Sequence, residues 1–354
     1  MKKICILVND VTTLLQFRCE LVLSLVEQGH EVIVSVPKHQ RTTEIEALGA
    51  KVVYTQVARH GKNPIKDYKL YKEYIKLLKQ IKPDIVFTFT VKPNVYGGMA
   101  CGKLNIPYVA NVTGLGVVGK KSLLQSLMLW LYKKGLKKAQ CVFFQNQSNL
   151  DFFTKKKIVG KSVKLLPGSG VNLQKFEYLP YPSNDITEFV FVGRIIREKG
   201  VYELAEVAKT LEQNEKVHFT IVGDVEFGAE NPFLTCKNVT CVGFHKNVIP
   251  FLEKANAIIL PSYHEGMANV LLEAASSGRP IIASNISGCK ETFEEGKTGF
   301  GFSVKDVVSL QNAVEKFLSL TDQERSKMGC AGREKMENEF DRMFVVNEYC
   351  AQLN

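Results

Sequence analysis

Short apolar runs alternate along the chain with longer stretches in which apolar positions recur every three or four residues. The runs read as strands buried on both faces, and the stretches as helices that cover them. In the first half the strands are Lys3 to Val8, Glu31 to Val36, Lys51 to Thr55, Asp84 to Phe89, Tyr108 to Asn111 and Cys141 to Phe144. Helical spacing runs from Leu14 to Gln28, closed by Gly29, and again near 65–81 and 94–103. This β-α-β opening predicts a doubly wound parallel sheet of five or six strands, with ligands outside the carboxyl ends of the strands, near the loops after Val8, Phe89 and Asn111. The alternation resumes with strands Glu188 to Val192, His218 to Val222, Val239 to Gly243, Ala257 to Leu260 and Pro280 to Ser284, a helix over Val201 to Leu211, and three helical segments within 305–352. Turn formers in Leu165 to Asn172 place a boundary near 172. The expected organisation is α/β, with one Rossmann-like domain over 1–172, a second over 173–340, and a last helix from 341 to 354.

One stretch concentrates polar chemistry. In IILPSYHEGMANVLLEAASSG, Ile258 to Gly278, the strand stops at Pro261, which cannot donate to a parallel ladder, and Gly266 permits a sharp turn. Val270, Leu271, Ala274 and Ala275 then predict a helix starting near Met267 and closed by a left-handed Gly278. Its unpaired N–H groups at Met267, Ala268 and Asn269 favour a phosphate, and small Ala268 leaves room for one. Glu265 lies on the loop, and Glu273 falls about 6 to 9 Å along the helix axis, a spacing suited to ribose hydroxyls. Taken singly, each acid is more often a solvated carboxylate. Arg194 and Lys199 flank the entrance to the helix at Val201, where two cations would bracket a diphosphate. Either alone is more often a surface cation.

Composition narrows the classes. The chain has 354 residues, 45% apolar and 23% charged, which suits a globular protein of two domains. Nine cysteines are scattered singly with no C-x-x-C, so a reducing compartment and no structural metal are expected. Neither a signal-peptide core nor a run of 18 apolar residues occurs, which points to a cytoplasmic protein that does not span a membrane. The net charge of +10 is unevenly placed: residues 1–172 hold 27 Lys/Arg against 10 Asp/Glu, net +17, and residues 173–354 hold 19 against 26, net −7. With no nucleic-acid motif, the basic half points to an anionic membrane surface or a diphosphate-bearing substrate. Residues 122–139, SLLQSLMLWLYKKGLKKA, read equally well as an interfacial helix with Trp130 at headgroup depth or as a packed crossover helix with a lysine-rich end.

The pattern P-S-x-x-E-G-x-x-x-x-x-x-E, followed by G-x-P-I-I-A-S, resembles the E-x7-E signature of the retaining glycosyltransferases of family 4, which have the two-domain GT-B fold and use nucleotide sugars. Gly193-Arg194 with Lys199-Gly200 resembles the family's G-R-x-x-x-x-K-G segment. Asn63-Pro64 and Thr113-Gly114-Leu115-Gly116 resemble the branch that extends undecaprenyl-diphosphate-linked saccharides for bacterial surface polysaccharides such as capsule and O-antigen, and for glycoproteins.

The resemblance implies two Rossmann-like domains facing a central cleft, with the C-terminal helix crossing back to the first. It implies transfer of a hexose or N-acetylhexosamine, from a UDP-linked donor in preference to GDP, without a metal or cofactor. Glu265, Arg194 and Lys199 would act in catalysis. Gly193, Phe244, Gly266, Met267, Ala268, Asn269 and Glu273 would hold the donor, with Phe244 near the base or else a core aromatic. Thr13, Arg18, Thr113 and Gly114 are acceptor or cleft candidates; Arg18 would meet a phosphate or else lie on the surface. The turn Asn9 to Thr13 lacks the glycines of a dinucleotide fingerprint, which argues against a dehydrogenase. A nucleotide-sugar epimerase on a similar scaffold and a non-catalytic nucleotide-sugar binder are the rival readings. A retaining hydrolase would need a carboxyl pair about 5 Å apart, which a loop-and-helix pair does not supply.

Overall fold

The structure, a computed structural model, describes residues 1–56, 63–114, 123–160, 162–183 and 185–353. The chain divides into two units, Met1–Ser169 with Met343–Asn354, and Gly170–Arg342.

In the first unit β1 (Lys3–Leu7), β2 (Glu31–Val36), β3 (Lys51–Tyr54), β4 (Ile85–Phe89), β5 (Tyr108–Val112), β6 (Cys141–Phe144) and β7 (Val163–Leu165) form one parallel sheet in the order β3-β2-β1-β4-β5-β6-β7. Its helices are α1 (Val11–Phe17), α2 (Cys19–Glu27), α3 (Thr42–Ala47), α4 (Pro64–Ile81), α5 (Gly98–Leu104), α6 (Leu123–Leu136) and α7 (Gln147–Lys155), with a π-turn at Pro93–Gly97 before α5. Period-two alternation sends Ile4 and Ile6 into one core with Val34 and Phe87, and Cys5 and Leu7 into the other with Tyr74 and Leu78. Both faces are therefore covered, as continuous apolar strands require.

Two expectations are corrected here. The sheet has seven strands, because the three-residue edge strand Val163–Leu165 is too short and too polar to stand out as an apolar run. The single helix expected over Leu14 to Gln28 is two. α1 begins three residues earlier, where the Asp10 carboxylate accepts from the Thr13 N–H at 3.0 Å, and the chain leaves helical geometry at Arg18 (φ −137°, ψ 8°).

In the second unit β8 (Thr187–Val192), β9 (Val217–Val222), β10 (Val239–Gly243), β11 (Ala257–Leu260), β12 (Ile281–Ser284) and β13 (Gly299–Phe302) are parallel in the order β10-β9-β8-β11-β12-β13. Strand β13 was not expected, since GFGF carries two glycines, which depress strand propensity. The helices are α8 (Val201–Thr210), α9 (Ile249–Lys254), α10 (Asn269–Ser276), α11 (Val307–Leu318), α12 (Asp322–Glu339) and α13 (Arg342–Cys350). From Met343 onward α13 belongs to the first unit, with Val345, Val346 and Tyr349 in that unit's core. Among the described residues no helix is long and apolar enough to cross a membrane.

Candidate active site

The strand order of the second sheet reverses between β8 and β11, so the loops that leave these two strands diverge and open a crevice at their carboxyl ends. The loop after β8 carries Gly193, Arg194 and Lys199; the loop after β11 carries Glu265 to Ala268. Gly200 lets these two loops meet, and Gly288, on the loop after β12, brings a third loop against the one after β11. Gly200 holds φ +70° as the N-cap of α8, and a Cβ there would lie 2.0 Å from the Pro261 carbonyl oxygen. Gly288, at φ +91°, approaches so closely that a Cβ would lie 2.7 Å from the Glu265 carbonyl oxygen. No side chain fits at either place.

Within the crevice the Lys199 ammonium lies 2.5 Å from the Glu265 carboxylate, and both side chains are mostly buried, with 22% and 14% of their surface exposed. A cation and an acid 66 positions apart in sequence thus share one point. Lys199 also lies along Gly193, with its Cε 3.9 Å from where a Cβ would stand. Arg194 does not join them. It is 65% exposed and its guanidinium pairs with Glu226 at 2.8 Å, so only one of the two expected cations faces Glu265.

The helix that follows differs from expectation at its start. α10 begins at Asn269, because Met267 and Ala268 are buried in the core and the Ala268 N–H donates to the Gly288 carbonyl at 2.8 Å. Ala268 is therefore not an anion donor. Asn269 remains a candidate, and the Val270 N–H, which the sequence did not single out, stands beside it at N1 and N2 of a helix whose N-cap provides no side-chain acceptor. Gly266 does not take positive φ; the left-handed glycine packed against this turn is Gly288, on the loop after β12. Gly278 does close the helix at φ +74°.

Glu273 lies one turn into α10 on its half-buried face. Protein surrounds its carboxyl, and that burial raises its pKa from the usual 4.5 to about 7, although Lys175 and Arg342 pull the other way. It is not a solvated acid. Phe244 is 71% exposed and its N–H donates to Asp224 at 3.0 Å, so it is not a core aromatic.

In the first unit Thr13 is engaged at its N–H and hydroxyl by Asp10, at 3.0 and 2.6 Å. Arg18 is 5% exposed, with its guanidinium 4.9 Å from the Phe89 ring and 5.9 Å from Tyr349, and it donates to the Phe17 carbonyl at 2.8 Å. It is a core cation beside aromatic faces rather than a surface arginine. Thr113 and Gly114 follow β5 and are half-buried. Leu115 and Gly116 of the same turn, and Lys120 to Ser122 before the basic helix, lie outside the described residues. One residue at this sheet's own crevice gave no sequence signal: Thr90, which follows β4, holds φ +71°, and its hydroxyl donates to Asn9 at 2.8 Å. A β-branched residue in that region is a genuine outlier, of a kind that concentrates at functional sites. Gly288 and Glu226 were likewise not singled out, since neither falls within a motif.

Among the described residues no group of three or more His, Cys, Asp or Glu side chains is placed to hold a metal ion.

Residues 3–146 match the model of the glycosyl transferase 4-like domain, and residues 182–335 that of glycosyl transferases group 1. The chain belongs to these glycosyl transferases. Among this transferase's relatives is the N,N'-diacetylbacillosaminyl-diphospho-undecaprenol α-1,3-N-acetylgalactosaminyltransferase of Campylobacter jejuni, 27% identical over 94% of this chain and 93% of the relative. Another is the UDP-Gal:α-D-GlcNAc-diphosphoundecaprenol α-1,3-galactosyltransferase of Escherichia coli, 28% identical over 71% of this chain and 70% of the relative. The glycosyl transferase shares its GT-B fold with Anabaena HepE, solved in complex with UDP and glucose, at a TM-score of 0.78 and 16% identity over 100% of this chain and 99% of that one.

Proposed function

We propose that this glycosyl transferase moves a hexose or N-acetylhexosamine from a UDP-sugar to an undecaprenyl-diphosphate-linked saccharide, with retention at the anomeric carbon. The observation that carries the donor site is the Lys199–Glu265 pair at the β8/β11 crevice. An incoming diphosphate competes with Glu265 for the Lys199 ammonium and takes the N–H groups of Asn269 and Val270. Arg194 leaves Glu226 to join it, at little cost, because exposed ion pairs contribute about 0–1 kcal/mol. These groups offset the charge that develops on the departing nucleotide, and a metal is not required for that task. Glu265, released from Lys199, holds sugar hydroxyls near the reacting carbon while the acceptor hydroxyl enters on the face from which the phosphate leaves. Glu273 accepts from ribose hydroxyls, and exposed Phe244 lies against the base. The second unit is the donor domain and the first, with Thr113 and Gly114, the acceptor domain. The acceptor and the UDP donor rest on the relatives named above, and the basic first half supports work at an anionic membrane surface.

Incubation with UDP-N-acetylhexosamine tests the reading. UDP release that requires a lipid-diphosphate saccharide supports it. Epimerisation without acceptor, or binding without turnover, would replace it with a rival.

A further inference from the structure

Helices α4, α5 and α6 of the first unit are packed together, and the cleft along α5 and α6 has a volume of about 570 Å³. Five lysines line it, Lys103, Lys133, Lys134, Lys137 and Lys138, beside Trp130, and no aspartate or glutamate does. Two of the five have protein partners: Lys138 donates to the Gly102 carbonyl at 2.9 Å, and the Lys134 ammonium lies 5.6 Å from the Trp130 ring. The side chains of Lys103, Lys133 and Lys137 make no hydrogen bond or ion pair among the described residues.

Part of this has an ordinary cause. Lys103, Lys133 and Lys134 lie in the last turns of α5 and α6, where cations complement the helix dipole. The dipole explains a cation at each helix end, but not why five gather on one concave wall instead of splaying into water. Like charges held together repel, and a low-dielectric concavity focuses their field, so an anion with several acceptor oxygens relieves the strain. The neighbouring surface favours a lipid as the source of that anion. Leu127 and Trp130, three residues apart on α6 and so on one face, are each 52% exposed, which suits the acyl–headgroup boundary.

We propose that this cleft binds the phosphate headgroup of an anionic phospholipid as a discrete, saturable site. This deepens the membrane-surface part of the proposed function and rests on it. A diffuse attraction of a basic surface would weaken equally with any lysine removed, whereas a site depends on these.

Trp130 is the chain's one tryptophan, so its emission reports on the cleft directly. The full chain is titrated with vesicles of phosphatidylcholine alone or with phosphatidic acid, and separately with inorganic phosphate. Lys133→Gln/Lys137→Gln is compared with Lys155→Gln/Lys156→Gln, an equal charge change at exposed positions on α7 and just beyond it. The expected result is a saturable blue shift with phosphatidic acid only, with affinity lowered about tenfold or more in the cleft variant and much less in the control. Equal losses in the two variants would overturn the site while leaving the membrane reading standing. The same saturable response to inorganic phosphate would overturn the lipid assignment. If the parent binds neither vesicle, both the site and the membrane reading fall, and UDP binding, measured in parallel, still reports on the donor site.

Discussion

Lys199 and Glu265 are the residues on which the proposed donor site depends, and each was legible through its motif. Their direct contact was not, because it depends on Gly200 drawing the β8 and β11 loops together and on Gly288, beyond β12, packing against the Glu265 backbone. Glu265→Gln is expected to lower kcat by about 10² or more with a smaller change in donor KM, as for loss of one transition-state hydrogen-bonding group; steady-state kinetics with varied UDP-sugar decide it. Unchanged kcat would remove Glu265 from the reaction. Glu273 makes a different prediction. Burial raises its folded pKa from 4.5 to about 7, so the folded chain holds this proton more tightly than the unfolded one. Its contribution to stability is greatest below pH 4.5 and declines as pH rises to about 7. Glu273→Gln should therefore be the more stable protein at pH 8, by up to about 3 kcal/mol, and near parity at pH 4, as read by urea unfolding. The same variant should bind UDP more weakly, since an amide accepts less strongly than a carboxylate from ribose hydroxyls. Arg18 shows the limit of reading residues singly. Its partners Phe89 and Tyr349 lie far along the chain, and nothing local marks it as buried.

Among the elements, continuous apolar runs gave eleven of the strands their place, and the misses have physical causes. Val163–Leu165 is a three-residue edge strand, and Gly299–Phe302 owes its strand form to pairing with β12 rather than to propensity. The break at Arg18 and the late start of α10 come from tertiary contacts that override helical spacing. One connection between elements was invisible and is predicted to matter. Arg279, fully buried after α10, donates from its guanidinium to the carbonyls of Leu252, Leu179 and Pro180 at 2.6, 3.0 and 2.9 Å, and so ties the end of α9 to the segment before β8. Arg279→Met strands those acceptors in the interior and should cost about 3 kcal/mol or more in a urea titration. Gly200→Ala, with no space beside Pro261 and a left-handed backbone, should disturb the entrance of α8, lowering stability by about 1 kcal/mol or more and weakening UDP binding; retained UDP affinity in the folded variant would show that the loop's approach is not needed.

On the scale of the whole molecule, the two-sheet architecture was readable because each half carries its own strand–helix alternation and its own core, whereas the return of α13 to the first unit came only from the family resemblance. Under the proposed function the oppositely charged halves take different partners, and the acidic second half would hold an anionic donor through a few placed cations and helix N–H groups rather than through net charge. UDP at about 100-fold above its Kd should raise stability by about 2.7 kcal/mol, and this gain should shrink in Lys199→Met. The most direct measurement is a crystal structure with UDP bound. The account predicts the diphosphate within hydrogen-bond reach of the Lys199 ammonium and the Asn269 and Val270 N–H groups, with Glu265 released from Lys199 and the ribose against Glu273. A nucleotide lodged elsewhere, with Lys199 still held by Glu265, would contradict it.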